Sequence, residues 1–262
     1  MGSATRKASA TARAALPALS GKAALSTGQE LLAAGQIIGD SAPLRSTLTD
    51  TTVADSDKKK LIAELFASAS AATRSVLEAV ATSRWSSHDD MLAGIEQIGV
   101  SAVAASAGDI DVIGELFAFG AAVTSDPELE LAVGSKLGDT QAKVALVDRL
   151  LKGKASDQTL AIVRHLVQQP RGRRIRALVA DAANIVALAG GLSLATVTVA
   201  RELGDDQLAR LATGLESRYG RLRINQVVDA SLVGGLRVQV GDDVIDDSIA
   251  TKLTTLKLQL AG

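Results

Sequence analysis

The chain has 262 residues, of which 47% are hydrophobic and 22% charged, enough apolar material for one to three packed domains at about 150 residues each. Its 28 basic and 29 acidic residues nearly cancel, which excludes the net basic field of a dedicated nucleic-acid binder. Cysteine is absent and there are only two histidines, His88 and His165. That excludes a disulfide scaffold, Cys-ligated zinc and thiol chemistry, and leaves little for histidine-based catalysis. The five aromatic residues, Phe66, Trp85, Phe117, Phe119 and Tyr219, are too few to build cores, so Ala, Leu, Val and Ile must do so.

In chain order, the opening Met1-Gly2-Ser3-Ala4-Thr5-Arg6-Lys7 is followed by no apolar run of the signal-peptide kind, and a cytoplasmic protein is expected. Leu31, Leu32, Ala34, Ile37 and Ile38 then recur at helical spacing between Gly28 and Gly39, and Asp40 and Pro43 end that segment. Leu44 and Leu48 mark a short helix. Asp55 and Asp57 stand where an N-cap belongs, ahead of Leu61, Ile62, Leu65 and Phe66. Thr73 to Trp85 carries the stripe Val76, Leu77, Val80 and Ala81. Met91, Leu92, Ile95, Ile98 and Ala102 make the next stripe, running toward Gly108.

The pattern then starts again. Shifted by 85 residues, Leu31 falls on Leu116, Leu44 on Leu129, Lys58 on Lys143, Leu61 on Leu146 and Leu65 on Leu150; one residue of slippage later, Thr73 matches Thr159 and Val76 matches Ile162. Helices, turn and caps keep their order, which indicates an internal duplication. Two copies are too few for a solenoid, so each is expected to be a small bundle.

Past Gly191 the period changes. Residues 182–200 carry no charge, but Gly190-Gly191 and scattered polar residues make them a helix end, a turn and a strand rather than a membrane span. Leu194 to Ala200 alternates as a strand. Gly204-Asp205-Asp206 begins a helix with Leu208, Leu211, Ala212 and Leu215 on its inner stripe and Gly220 closing it. Leu222 to Val228 and Leu236 to Val240 alternate again. Asp246, Asp247 and Ser248 can cap a last helix with the stripe Ile249, Leu253, Leu256 and Leu260. The expected fold is mainly α: a first helical bundle over 1–108, a second over 109–191 that can share helix 88–107, and a small α/β domain over 192–262.

Chemistry is nearly absent. Gly153-Lys154-Ala155 lacks the earlier glycine and the Ser or Thr of a phosphate loop and lies between helices. His88-Asp89-Asp90 has no second histidine at metal-ligand spacing, and its acids suit a helix N-terminus. Asp242-Asp243 and Asp246-Asp247 lack the alternation of a calcium loop. No catalytic residue, cofactor site or metal site is expected. The run Arg171-Gly172-Arg173-Arg174-Ile175-Arg176 is the one concentrated charge, and a helical RNA-binding regulator using Arg171–Arg176 is the alternative reading. No aromatic residue interleaves it, which argues against base stacking. Trp85 suits a partly buried anchor at a helix end. The residues alone describe a non-enzymatic interaction protein.

The tail carries a resemblance. Val228-Asp229, Leu232-Val233-Gly234-Gly235, Val238-Gln239-Val240-Gly241-Asp242, Val244-Ile245-Asp246 and Ser248 resemble, in order, the C-terminal signature of the delta subunit of rotary proton-translocating ATP synthases, the bacterial counterpart of the oligomycin-sensitivity-conferring protein. Asp247 departs from the family, which more often has Gly there. The duplicated helical region looks like the long delta form of high-GC Gram-positive bacteria. The resemblance implies a non-catalytic peripheral-stalk subunit on the cytoplasmic face of the cell membrane, peripheral to it through the complex. Its implied partners are the N-terminal helices of the alpha subunits and the b-type stalk subunits, with no nucleic acid and no small-molecule substrate. The helix of Val76, Leu77 and Val80, or its counterpart with Ile162, Val163 and Leu166, is the expected groove for an alpha helix, because small Ala faces let a partner helix approach. Leu253 and Leu256 are expected to serve stalk binding.

Overall fold

In the computed structural model the described residues are 2–135, 138–229, 232, 234–241 and 243–246. The chain divides into two compact units, Met1–Val186 and Ala187–Gly262. The helices of the first region are α1 (Ser3–Ala14), α2 (Gly21–Asp40), α3 (Ala42–Thr49), α4 (Asp55–Leu65), α5 (Ala71–Thr82), α6 (His88–Ala105), α7 (Val112–Thr124), α8 (Pro127–Gly134), α9 (Thr140–Leu151), α10 (Asp157–Gln168) and α11 (Ile175–Ala189). A strand β1 (Ser193–Val199), a helix α12 (Asp205–Tyr219) and strands β2 (Leu222–Val228), β3 (Leu236–Val240) and β4 (Asp243–Asp246) follow. The protein is thus mainly α with a C-terminal α/β part. No helix among the described residues is long and apolar enough to cross a membrane.

The helices start where small polar side chains satisfy orphan N–H groups. Ser41, Ser70, Ser87, Asp111, Asp126, Asp139 and Ser156 each accept from a first-turn amide. Asp55 and Asp57 are an exception to the sequence reading. The N-cap of α4 is Ala54, and both acids lie inside the first turn, where they act on the helix dipole. The first core gathers Leu31, Ile38, Leu48, Ile62, Leu77, Met91, Ile95 and Ile98 with Ala8 and Ala12 of α1.

α2 and α6 approach closely through a pair of glycines. A Cβ on Gly28 would lie 2.8 Å from the Gly99 carbonyl oxygen, and one on Gly99 would lie 2.8 Å from Leu32 Cδ2, so the two backbones meet where neither residue has a side chain. α6 packs on α1, α2, α3, α5 and α10, and α10 also packs on α2.

In the second unit β1 is central in the order β2-β1-β3-β4, parallel to β2 and antiparallel to β3, with β3 antiparallel to β4. A parallel β1–β2 pair needs a crossover, which α12 provides. Ala195, Val197 and Val199 of β1 join Val238, Val240 and Leu215 in a small core, with Leu211, Tyr219, Leu222 and Ile224 packed against it. Along α12 Leu215 is buried, while Leu208, Leu211 and Ala212 are half-buried. The short edge strand β4 is exposed on both faces and ends on Asp246, which the sequence offered as part of a helix cap.

Candidate functional site

The expected repeat has a physical counterpart. Glu30 of α2 reaches the N-terminus of α5, where its carboxylate accepts from the Ser70 amide at 2.9 Å, the Ser70 hydroxyl at 2.7 Å and the Thr73 hydroxyl. Glu115 of α7 does the same at α10, accepting from the Ser156 amide at 2.9 Å, the Ser156 hydroxyl at 2.6 Å and the Thr159 hydroxyl. Burial works to raise both carboxyl pKa values, but these donated hydrogen bonds win and hold both below the usual range. A second pair matches too. Buried Lys58 donates to the Leu48 carbonyl at 2.9 Å, at the C-terminal end of α3, and buried Lys143 donates to the Ser135 carbonyl just past α8. Each ammonium caps a helix end whose carbonyls lack partners. Glu30 and Glu115, which sequence reasoning missed, stand 85 residues apart. Identical acids at the repeat offset, on otherwise apolar stripes, were the available signal.

Val76, Leu77 and Val80 on α5 and Ile162, Val163 and Leu166 on α10 are all buried within the helical unit. Leu253 and Leu256 lie outside the described residues. The two helices differ in what lies beside those side chains. On α5, Ala72 and Ala79 are half-buried and Ser75 is exposed; their counterparts on α10, Gln158, Ala161 and His165, are buried. Among large apolar residues of the helical unit, Ile37, Leu65, Ile110 and Leu131 are exposed.

The basic run is largely used inside the fold. Glu96, on α6, is 5% exposed, and its Oε2 lies 2.8 Å from Arg171 Nη2, 2.9 Å from Arg173 Nη2 and 3.3 Å from Nε2 of buried His165. Arg173 also reaches Glu96 Oε1 at 3.0 Å and Asp181 Oδ2 at 2.9 Å. Burial pushes the Glu96 carboxyl up, but the hydrogen bond to His165 and the two guanidiniums overcome it and bring the pKa down to about 2. Two carboxylates against two guanidiniums leave the cluster balanced, which is how buried charge is tolerated. Arg174 and Arg176 remain exposed.

The other sequence candidates take structural roles. Gly153-Lys154 lies in the turn between α9 and α10, with Gly153 in the left-handed region. Trp85 is buried and donates its indole N–H to the Val80 carbonyl at 2.8 Å, as an anchor past the end of α5. Asp89 and Asp90 sit in the first turn of α6. His88 Nδ1 lies 2.8 Å from Thr49 Oγ1, whose hydroxyl is also within reach of the Arg45 carbonyl at 2.9 Å, so the pair ties the start of α6 to the end of α3. Among the described residues no three His, Asp or Glu side chains gather to hold a metal.

Residues 100–260 match the OSCP family, described as ATP synthase delta (OSCP) subunit. A protein named ATP synthase subunit delta from Leifsonia xyli subsp. xyli is 50% identical over 263 residues, covering all of both chains. Proteins of the same name from Arthrobacter sp. and from Streptomyces avermitilis are 35% and 36% identical, covering 95% and 99% of this chain and 96% and 98% of theirs. A chain from the mitochondrial ATP synthase hexamer of Toxoplasma gondii, 23% identical, overlaps 64% of this chain and 97% of its own at a TM-score of 0.39, and the assignment rests on the sequence relatives. Identity at this level over the full length leaves one conclusion: the chain belongs to the ATP synthase delta (OSCP) subunit family, whose members are structural and non-catalytic parts of that complex.

Proposed function

We propose that this chain is a peripheral-stalk subunit, linking the alpha/beta catalytic head to the b-type stator helices so that the head resists rotor torque. It would work on the cytoplasmic face of the cell membrane, attached only through the complex. The observation that carries the reading is family membership over the full chain, joined to a helical region that repeats its Glu–Ser–Thr and Lys networks. The helical copies 1–108 and 109–191, sharing α6, would face the head. The domain over 192–262, with Leu253 and Leu256, would face the stalk.

The docking helix for an alpha-subunit N-terminus is α5. Val76, Leu77 and Val80 form the floor beneath the outward stripe of Ala72, Ser75 and Ala79, whose small side chains admit a second helix at close range. On α10 the floor of Ile162, Val163 and Leu166 is present, but its stripe is covered within the unit, so this helix is the weaker candidate. The basic-run alternative is disfavoured because Arg171 and Arg173 are engaged with Glu96.

Titration of the full chain with an alpha-subunit N-terminal peptide tests this. Ala79→Arg should weaken binding by at least about tenfold, or about 1.4 kcal/mol, while thermal stability holds. A peptide that binds equally well to Ala79→Arg would move the groove elsewhere. Binding of RNA in place of the peptide, with a steep salt dependence, would restore the alternative.

A further inference from the structure

The two helical copies differ where the second meets the first. Glu96 stands on α6, and the positions 85 and 86 residues before it are Thr11 and Ala10, both exposed. Its partner His165 corresponds to Ala79, and Gln158 to Ala72. These second-copy side chains tie α10 to α6 at both ends. Near the start of α10, Gln158 Nε2 donates to the Ser106 hydroxyl at 3.1 Å and to the Ser106 carbonyl at 3.3 Å, just past the end of α6. Near its end, His165 meets Glu96. The turn that follows is fastened twice more. Gln169 Nε2 donates to Asp40 Oδ1 at 2.8 Å, at the end of α2, and Arg171 and Arg173 close on Glu96.

Backbone conformation adds an independent sign. Arg171 is the one described non-glycine residue at positive φ, at +45°, followed by Gly172 at +77°. A long side chain in the left-handed region is held there only by surrounding interactions that over-determine it. Here the holding interaction is the 2.8 Å ion pair to Glu96.

We propose that the Glu96–His165–Arg171–Arg173 cluster is an interlock that makes the two helical copies one mechanical body. Where the second copy carries Gln158 and His165, the first carries Ala72 and Ala79, so the first copy has no counterpart of these ties. Without it, α7 to α11 would open as a separate unit on α6. With it, the second copy cannot leave without stranding a buried carboxylate and two guanidiniums. The inference rests on side-chain geometry inside the helical unit and stands whether or not α5 is the docking helix.

The test is hydrogen exchange by mass spectrometry on the full chain, comparing peptides from α5 with peptides from α10. In the unaltered protein the slowest amides of both helices should exchange at a common rate, through one cooperative opening. Glu96→Gln keeps shape and a hydrogen-bonding oxygen but removes the charge. It should accelerate α10 by about tenfold or more, equivalent to about 1.4 kcal/mol, with α5 unchanged. Arg171→Gly serves as the second variant, because it relieves the backbone while removing one ion pair; it should uncouple α10 in the same way. Arg164→Gln breaks the Arg164–Asp148 pair, which joins α10 to α9 within the second copy, and should leave the two rates common. Equal acceleration of both helices, or none, in Glu96→Gln and Arg171→Gly would reduce the cluster to a local ion pair and overturn the interlock.

Discussion

The first and second helical copies share their wiring and differ in their spacing. Both place a glycine of the long helix against a β-branched residue of the helix that closes the copy. A Cβ on Gly35 would lie 3.2 Å from Ile95, and one on Gly120 would lie 3.2 Å from Val179. Only the first copy has the backbone-to-backbone approach of Gly28 and Gly99; position 28 corresponds to Ile113, which fills the space with a side chain. The polar networks that set which helix end meets which are alike in the two halves of the helical region, whereas the apolar packing differs. The reason is physical. An unsatisfied Glu or Lys inside a bundle costs more than an exchange of one aliphatic side chain for another.

The largest expected difference between the two copies is at the glycine crossing. Gly28→Val puts two methyl groups against the Gly99 carbonyl and Val103, with no flexible chain end to move aside. We expect a loss of about 3 kcal/mol or more, the upper end for overpacking, visible as a large drop in the urea midpoint. Ile113→Val at the corresponding place should cost about 1 kcal/mol. Equal costs at the two positions would mean that the copies are packed alike after all.

Acid sharpens the contrast next. Glu96 is held at about 2 in the folded protein against a reference of 4.5. A carboxyl with a depressed folded pKa stabilises the protein fully above 4.5, and that contribution is lost as pH falls from 4.5 toward 2. It amounts to about 3 kcal/mol at neutral pH, taking about 1.4 kcal/mol per unit. Glu30 and Glu115 add contributions of the same sign, one to each copy. The excess acid sensitivity therefore belongs to the junction. Chemical denaturation between pH 7 and pH 3 should show a stability gap between the unaltered protein and Glu96→Gln that narrows by more than half with acid. A gap independent of pH would show that the charge on Glu96 contributes nothing.

How much of this was readable beforehand follows from which forces leave a mark in sequence. Apolar periodicity marked α2 to α6, and the repeat offset carried that pattern into the region of α7 to α10, matching Lys58 with Lys143 and Thr73 with Thr159, because buried positions constrain residue type. α1 escaped notice, since it buries only Thr5, Ala8 and Ala12 and offers no Leu or Ile stripe. β4 escaped because Asp-Val-Ile-Asp at an exposed edge has no inward face to produce alternation. The basic run was visible as charge, but its partner Glu96 stands 75 residues before Arg171 on another helix, and pairing at that range has no local signature. The left-handed Arg171 carries none either, as nothing in an arginine announces positive φ. The terminal helix expected from Ile249, Leu253, Leu256 and Leu260 lies outside the described residues.

A smaller effect tests whether the duplicated networks are equivalent. Glu30→Ala and Glu115→Ala each leave a serine, a threonine and a helix N-terminus without their acceptor. Both variants should lose about 1–2 kcal/mol, as for the removal of a half-buried acceptor of several hydrogen bonds, with the two losses alike because the donors match atom for atom. Differential scanning calorimetry of the two variants is sufficient. A loss confined to Glu30→Ala would mean that the second copy no longer depends on the network it inherited.

The smallest expected difference is at an aligned pair with the same residue type and different surroundings. Leu65, the last residue of α4, is 50% exposed, whereas Leu150 on α9, its counterpart, is partly covered. Leu65→Ser exchanges one exposed side chain for another at a helix end, where propensity matters little, so stability should stay within about 0.5 kcal/mol. Leu150→Ser removes partly buried apolar area within a helix, at about 25 cal/mol per Å², and should cost about 1 kcal/mol. The sequence offset alone would make the two substitutions equal. Their difference, measured as paired urea midpoints, therefore reports how far the second copy's surface has moved from the first's. An equal and negligible cost at both would place Leu150 as free in solution as Leu65, and an equal and large cost would place Leu65 under cover that the isolated chain does not provide.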